Sequence, residues 1–448
     1  MMGDYCACRP SSQPSAANDS RRVATLAGVL FGLTGMGSAA VAVTIPAITE
    51  SMGVGISNGS WIISSYALSL AVATALYGSA ADRHGIRLSL TIGVVLMSVG
   101  AVLAAVSTSF VMLIVARAIQ GAGAAAVPVL VVTLMSSRYE GTVRDTGLTR
   151  LTGVAIAVGA TGPLMGGLIE SFGGWRLVMC LPALGPLVVI ALWGLTPTHR
   201  GVAKVDLVGA FLVMIVAAAI VTALQSANSD IGFLVVGAGM FALGVPALVA
   251  RVRWRPDGFV PVALLRSPGL LRTALTASTV PASWFALLVS IPACLAARGW
   301  EPLAIGVALL PSAIPGIFGP RLSAAIIIRF GGSRAVTVAA ALAGMGLLTG
   351  AAGASGPAAV LIGGMLLVNL AFGIGQPALG ATVAEVVAPH LRGGALGLAT
   401  LIFFVGGGIG SAFAGLGGTL GISNVLLLLT SLPMIAVVIA TYVEREKS

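Results

Sequence analysis

The sequence predicts an all-α membrane protein of fourteen spanning helices, two pseudo-symmetric six-helix bundles with two extra central helices between them. Three observations lead there. Only 8% of the 448 residues are charged and 57% are hydrophobic, whereas a soluble domain is typically about 25% charged. The charges collect between apolar runs of roughly 20 residues, the length at which a helix crosses hydrocarbon. The chain also echoes itself. Gly78-Ser-Ala-Ala-Asp82-Arg83-His-Gly85-Ile-Arg87 is answered by Ile328-Arg329-Phe-Gly331-Gly-Ser-Arg334. Both stretches follow an apolar run, as two related halves would produce.

The first span is expected over 23–45, after Arg21 and Arg22. Residues 1–20 lack the apolar stretch of a cleavable signal and read as a disordered cytoplasmic tail. Spans over 61–80, 88–107, 110–135, 148–169 and 176–195 complete an N-terminal bundle, 21–200. An extra pair over 206–227 and 232–250 fills 201–255. Spans over 272–296, 302–322, 335–353, 356–387, 394–417 and 422–442 form the C-terminal bundle, 256–443, before a tail at 444–448. The 356–387 run exceeds what a membrane needs, so it tilts or emerges near Glu385. The 60 glycines suit close helix packing where lipid offers no hydrophobic drive.

Arginine and lysine set the orientation. One set of turns holds Arg83, Arg87, Arg138, Arg144, Arg200, Lys204, Arg251, Arg266, Arg329, Arg334 and Arg392. The opposite set holds Arg176 and Arg298 beside Glu50, Glu170, Asp230 and Glu301. This positive-inside asymmetry places both termini in the cytoplasm of a multi-pass protein of the inner (plasma) membrane. It also disposes of a nucleic-acid role for the net charge of +10, because no soluble face gathers the basic residues. Of the four cysteines, Cys180 and Cys294 sit in apolar runs, and Cys6 and Cys8 form a lone C-x-C too weak to imply a metal. The expected particle is a monomer in membrane lipid.

Three segments carry chemistry. Gly78, Asp82, Arg83, Gly85 and Arg87 make a tight turn in which a carboxylate can meet a helix N-terminus or a basic residue. In the fourth span, Arg117 lies 21 residues before Arg138, about 30 Å along a helix. An arginine at that depth costs roughly 2.5 kcal/mol or more and should face protein or a wet cavity. Gln120 shares its face, and Gly121 follows. In the fifth span, Gly159, Gly162, Pro163, Gly166 and Gly167 combine a helix bend with a flat packing face, the makings of a hinge. Tyr66, Trp284, Asn369 and Gln376 are polar or amphipathic groups at membrane depth and candidate cavity residues; Gln376 precedes Pro377, where a broken helix could expose carbonyls.

These segments, in this order, resemble the major facilitator superfamily. Gly78…Asp82-Arg83…Gly85…Arg87 matches its signature loop after helix two, Arg117…Gln120-Gly121 its helix-four signature, and Gly162-Pro163…Gly166-Gly167 the helix-five signature of its drug antiporters. Trp61 to about Pro182 is similar to the 14-helix drug:proton antiporters, which include tetracycline exporters. Val205-Asp206-Leu-Val-Gly209 and Phe259-Val-Pro-Val-Ala-Leu-Leu265 extend the likeness. The resemblance implies a major facilitator fold that alternates between inward- and outward-open states. It also implies export of a small drug or antibiotic against a proton gradient, with no enzyme activity, cofactor or metal. It assigns Arg117 to coupling and Asp82 to a cytoplasmic gate.

The chain departs from that pattern in one respect. The first, fifth and thirteenth spans carry no acid, and Gly159 stands near where some tetracycline exporters place Glu. A cavity with Arg117 and no carboxylate should disfavour organic cations, which would be desolvated without a partner. A neutral, zwitterionic or anionic amphiphile is expected. An uncoupled metabolite facilitator and a lipid-handling protein remain rival readings.

Overall fold

The computed structural model describes residues 13–196, 206–225, 231–255, 258–259, 262–388 and 392–445. The N-terminal half holds α1 (Gln13–Ser51), α2 (Ser60–His84), α3 (Ile86–Ala105), α4 (Phe110–Ala124), α5 (Ala126–Arg138), α6 (Gly141–Ala160), α7 (Gly162–Met179) and α8 (Gly185–Leu192). Between the halves stand α9 (Leu207–Gln225) and α10 (Ile231–Trp254). After the short α11 (Val262–Leu265), the C-terminal half holds α12 (Pro268–Ala297), α13 (Pro302–Leu309), α14 (Ile314–Phe330), α15 (Gly332–Ser355), α16 (Ala358–Val386), α17 (Arg392–Gly415), α18 (Gly417–Leu420) and α19 (Ile422–Arg445). Among the described residues, eleven helices are long and apolar enough to cross a membrane. Three shorter apolar ones, Leu181–Leu195, Leu207–Ala223 and Pro302–Ser312, fall where further spans are expected. Ile92, Val95, Val99 and Val102 line one face of α3 and are about half exposed, a stripe suited to lipid rather than water.

The expected tail is shorter than 1–20. Residues 1–12 lie outside the described residues, but 13–20 are helical. Asp19 anchors that turn, accepting hydrogen bonds from Arg138 Nη2 (2.9 Å) and the Tyr139 hydroxyl (2.6 Å). The sequence echo is structural as well. Gly85 (φ 86°) and Gly331 (φ 85°) sit at matching turns, in a left-handed backbone conformation that glycine adopts at little cost. Gly174 (φ 70°) breaks α7, so that the fifth span ends there and the sixth begins at Trp175.

Within the N-terminal half α1 packs on α6 and α7, and α4 on α2 and α3; within the C-terminal half α16 packs on α14 and α15, and α19 on α15. The halves meet through α2 with α17, α7 with α13, and α1 with α12. Glycine makes these seams close. A Cβ on Gly167 of α7 would lie 2.3 Å from the Pro302 carbonyl oxygen, and one on Gly306 of α13 2.4 Å from that of Pro163.

The apolar core decides where the cavity can be. At the end remote from the chain termini, one continuous core draws on both halves, from Ile45, Ile48 and Trp175 to Ile291, Leu295 and Leu361. At the end bearing the termini the core divides in two, one in each half, and the C-terminal one also takes in Ala71 and Val72 of α2. The halves are therefore sealed together at one end and parted by a cavity toward the other.

Candidate functional site

The cavity lies between the halves, ≈ 280 Å³ in volume, near the lower end of what small-molecule sites occupy. Residues of α1, α2, α5 and α6 and Pro163 of α7 form one wall; α12, α14, α16, Phe404 of α17 and the α13–α14 junction form the other. Among the described residues its lining contains no Asp, Glu, Lys, Arg or His.

The C-terminal wall is aromatic with one polar knot. The Trp284 indole N–H donates to Asn369 Oδ1 at 2.7 Å. The Asn369 amide then donates to the Ser312 carbonyl at 2.6 Å and to its hydroxyl at 3.3 Å. Ser312 lies in the 3₁₀ turn Leu310–Ala313 between α13 and α14, where departure from α geometry frees carbonyls. The knot thus fixes three helices around an indole face. Phe285 meets that face edge-on at 4.8 Å between centroids, and Phe372 stands at 5.7 Å. Gln376 lines the cavity beside Pro377.

The N-terminal wall is made of small and hydroxylated residues, Thr34, Gly35, Ser38, Thr152 and Gly159, together with Tyr66. Arg117 is fully buried and stands behind Tyr66, outside the lining: its Cζ is 4.4 Å from the Tyr66 ring centroid. The Tyr66 hydroxyl donates to the Thr34 carbonyl at 3.3 Å. Arg117 Nε donates to the Ile62 carbonyl at 3.0 Å and Nη1 to Gln120 Oε1. Nη2 of Arg117 and Nε2 of Gln120 have no hydrogen-bond partner. A ring face and a carbonyl thus hold the cation. Gly121 makes the arrangement possible, since a Cβ there would lie 2.3 Å from the Tyr66 carbonyl oxygen.

The remaining predicted residues fall in two places. Gly159 and Pro163 border the cavity. Gly162 and Gly166 press on Met36 and Ala40 of α1, and Gly167 presses on α13. Only Thr161 separates α6 from α7, with a near-helical backbone (φ −75°, ψ −9°), and Pro163 and Gly167 carry the contact to Gly306 and Pro302 of the other half. The Gly78–Arg87 turn stands away from the cavity lining. Arg83 is exposed. Arg87 braces its own half, donating to the Thr196 hydroxyl (3.0 Å) and carbonyl (2.8 Å). The side chain of Asp82 lies outside the described residues. At the matching turn of the other half, Glu385 accepts a hydrogen bond from Gly332 N at 3.3 Å.

Sequence reasoning missed Arg321. The tenth span, expected over 302–322, would leave Arg321 at its edge, but α14 continues to Phe330. Arg321 stands eight residues inside Arg329, roughly 12 Å deeper along the helix. The apolar run Ala324–Ile328 was the available signal.

The Asp206 and Phe259 segments are brought together. Asp206 Oδ1 accepts from Arg251 Nη2 (2.7 Å) and Gly209 N (3.1 Å), and Oδ2 from Phe259 N (3.1 Å). Burial alone would raise this carboxyl's pKa; Arg251 and the two backbone donors outweigh it and hold it below the ordinary aspartate range.

The family profile described as Major Facilitator Superfamily matches residues 27–411. The chain is 29% identical over 399 residues to the cephamycin export protein CmcT of Amycolatopsis lactamdurans, covering 83% of this chain and 79% of that one. It is 26% identical over 423 residues to the tetracenomycin C resistance and export protein of Streptomyces glaucescens, covering 90% and 77%. The xylose transporter XylE from E. coli, in a partially occluded inward-open conformation, superposes with a TM-score of 0.64 at 15% identity over 95% of this chain and 97% of that chain.

Proposed function

The chain belongs to the major facilitator superfamily, and on that footing we propose that it exports small amphipathic compounds of drug or antibiotic type by alternating access. It is a transporter, not an enzyme. The observation that carries the export reading is the cavity lining, aromatic on one side, hydroxylated on the other and, among the described residues, free of charged side chains. Such a surface suits a neutral, zwitterionic or anionic amphiphile. An organic cation would lose its water there and meet no carboxylate. Two relatives that are export proteins by name support the direction of transport.

In this reading the chain crosses the cell membrane fourteen times with both termini in the cytoplasm, as the Lys and Arg asymmetry supports. The cavity then faces inward. A proton gradient supplies the energy to a monomer, and Arg117 with Gln120 tunes the cavity through Tyr66. With no acid in the wall, coupling would run through Glu385 near the inner mouth, or through the charge of the substrate. The same neutral wall favours a second reading, an uncoupled facilitator. Equilibration across vesicles with no accumulation under a proton gradient of either sign would decide for it. The substrate reading is tested with purified protein in vesicles. Neutral and anionic drugs should move saturably and ethidium should not; saturable ethidium transport overturns it.

A further inference from the structure

The two seams between the halves are unlike. Along α2 and α17 contact continues inward past the cavity: Ala71 and Val72 of α2 are buried in the core of the C-terminal half, and Leu76 packs against it. The extra helix α9 packs on both α2 and α17, with Ala217 and Val221 clustered on Leu68 and Ala412. Along the other seam α7 and α13 are pressed together at Gly167 and Gly306. Toward the termini-bearing end, however, α6 and α14 touch only sparsely, although both line the cavity, through Thr152, Ile156 and Gly159 and through Pro320.

Arg321 stands at the edge of that crevice. On α14, a Cβ on Gly319 would meet the Gly373 backbone, and Ser323 donates to the Ile374 carbonyl at 3.0 Å, so this face lies on α16. Pro320, about 100° round the helix, faces the cavity. A further 100° carries Arg321 past the cavity toward α6, next to the exposed stripe of Ile314, Phe318 and Ile328. Arg321 is itself exposed. Among the described residues it has no hydrogen-bond or ion-pair partner, whereas Arg117, Arg251 and Arg298 all have partners. An exposed guanidinium with no partner in the protein is left to water or an anion, and its fork of donors matches carboxylate, sulfonate or phosphate oxygens.

We propose that the crevice between α6 and α14 is a side doorway to the cavity, and that Arg321 recognises the acid group of an amphiphilic solute whose apolar body arrives through the membrane. The inference rests on the export reading and narrows it to acidic amphiphiles. Arg321 holds the acid at the rim, because the cavity wall beyond offers no charge, and the apolar body passes to the aromatic wall.

The test uses the full chain, purified and placed in phosphatidylcholine vesicles. Exchange of a labelled cephamycin carrying its free carboxylate is compared with exchange of the same compound as its methyl ester. Arg321→Gln should raise KM for the acid by about tenfold or more and leave the ester within about twofold, the pattern of one lost charge-assisted contact. Arg321→Lys should keep most acid exchange. Ala324→Glu, on the same side of the helix, should impair the acid alone by offering the arginine an internal partner. Melting in detergent verifies that each variant is folded. Equal loss for acid and ester, no loss for either, or a lysine variant no better than glutamine overturns the proposal. So does an effect on both compounds that arises only when phosphatidylglycerol is added, since Arg321 would then bind lipid. A wild type that moves neither compound overturns the export reading and the doorway with it. A wild type that moves both, with Arg321→Gln unchanged, overturns the doorway alone.

Discussion

Arg117 is held at membrane depth by groups that carry no formal charge: the Tyr66 ring face, the Ile62 carbonyl and the Gln120 amide oxygen. Two N–H groups of the cluster remain unpaired, and an unmet buried donor costs about 1–3 kcal/mol. The cluster is thus under-satisfied, and only Tyr66 separates it from the cavity. Arg117→Ala should lower exchange by about tenfold or more while insertion survives, because Tyr66 loses its support and the wall loses its positive potential. Tyr66→Ala should expose the guanidinium and lower KM for an acidic substrate severalfold. Tyr66→Phe, which forfeits one 3.3 Å hydrogen bond, should stay near wild type, at a cost of about 1 kcal/mol or less. Vesicle exchange measures all three. Full activity in Arg117→Ala would remove that residue from the mechanism.

Helix elements are set by where glycine lets two backbones touch. Gly410 and Gly406 put α17 on α12, and a Cβ on either would come within 2.1 Å of a carbonyl oxygen. Backbone cannot yield as a flexible side chain does, so Gly410→Ala should destabilise the protein by about 1–3 kcal/mol or more, read as a lower melting temperature in detergent. Gly35→Ala meets nothing within 4 Å and should melt at or slightly above wild type, while its methyl group narrows the cavity. The extra pair is held differently, by the Asp206 carboxylate joining the start of α9, the end of α10 and Phe259. Asp206→Asn leaves Arg251 without its counter-charge and should cost about 3 kcal/mol at pH 7. Because the folded carboxyl titrates below its ordinary 3.8, the stabilisation is present above that value. It is lost as pH falls through the folded pKa. The melting difference between wild type and Asp206→Asn should therefore shrink only in acid below about pH 4.

At the scale of the whole molecule, the two halves are sealed at one end and parted at the other, around a cavity whose wall is neutral. Charge selection then depends on what little charge lies nearby. Gly159 borders the cavity, and a Cβ there would make only ordinary contact, 3.7 Å from the Gly32 carbonyl oxygen. Gly159→Glu should place a carboxylate in the wall and confer saturable ethidium transport, which the proposed charge preference denies the wild type. Ethidium fluorescence in vesicles reads the outcome, and no gain would show that a missing acid is not what excludes cations.

The amino-acid order by itself determined the spanning helices, the related halves and the special turns. Each of these is a local property: a bilayer reads apolar length segment by segment, and a left-handed turn at Gly85 or Gly331 needs only its own glycine. The order also placed Trp284, Asn369, Gln376 and Tyr66 at membrane depth, where they line the cavity. Only the tertiary structure decided that Arg117 and Gln120 stand behind the wall, that Arg87 braces its own half, and that Arg321 lies within α14 on an exposed flank. Which way a helix turns about its axis, and how far it slides along it, is fixed by the neighbours it packs against, and those are remote in sequence.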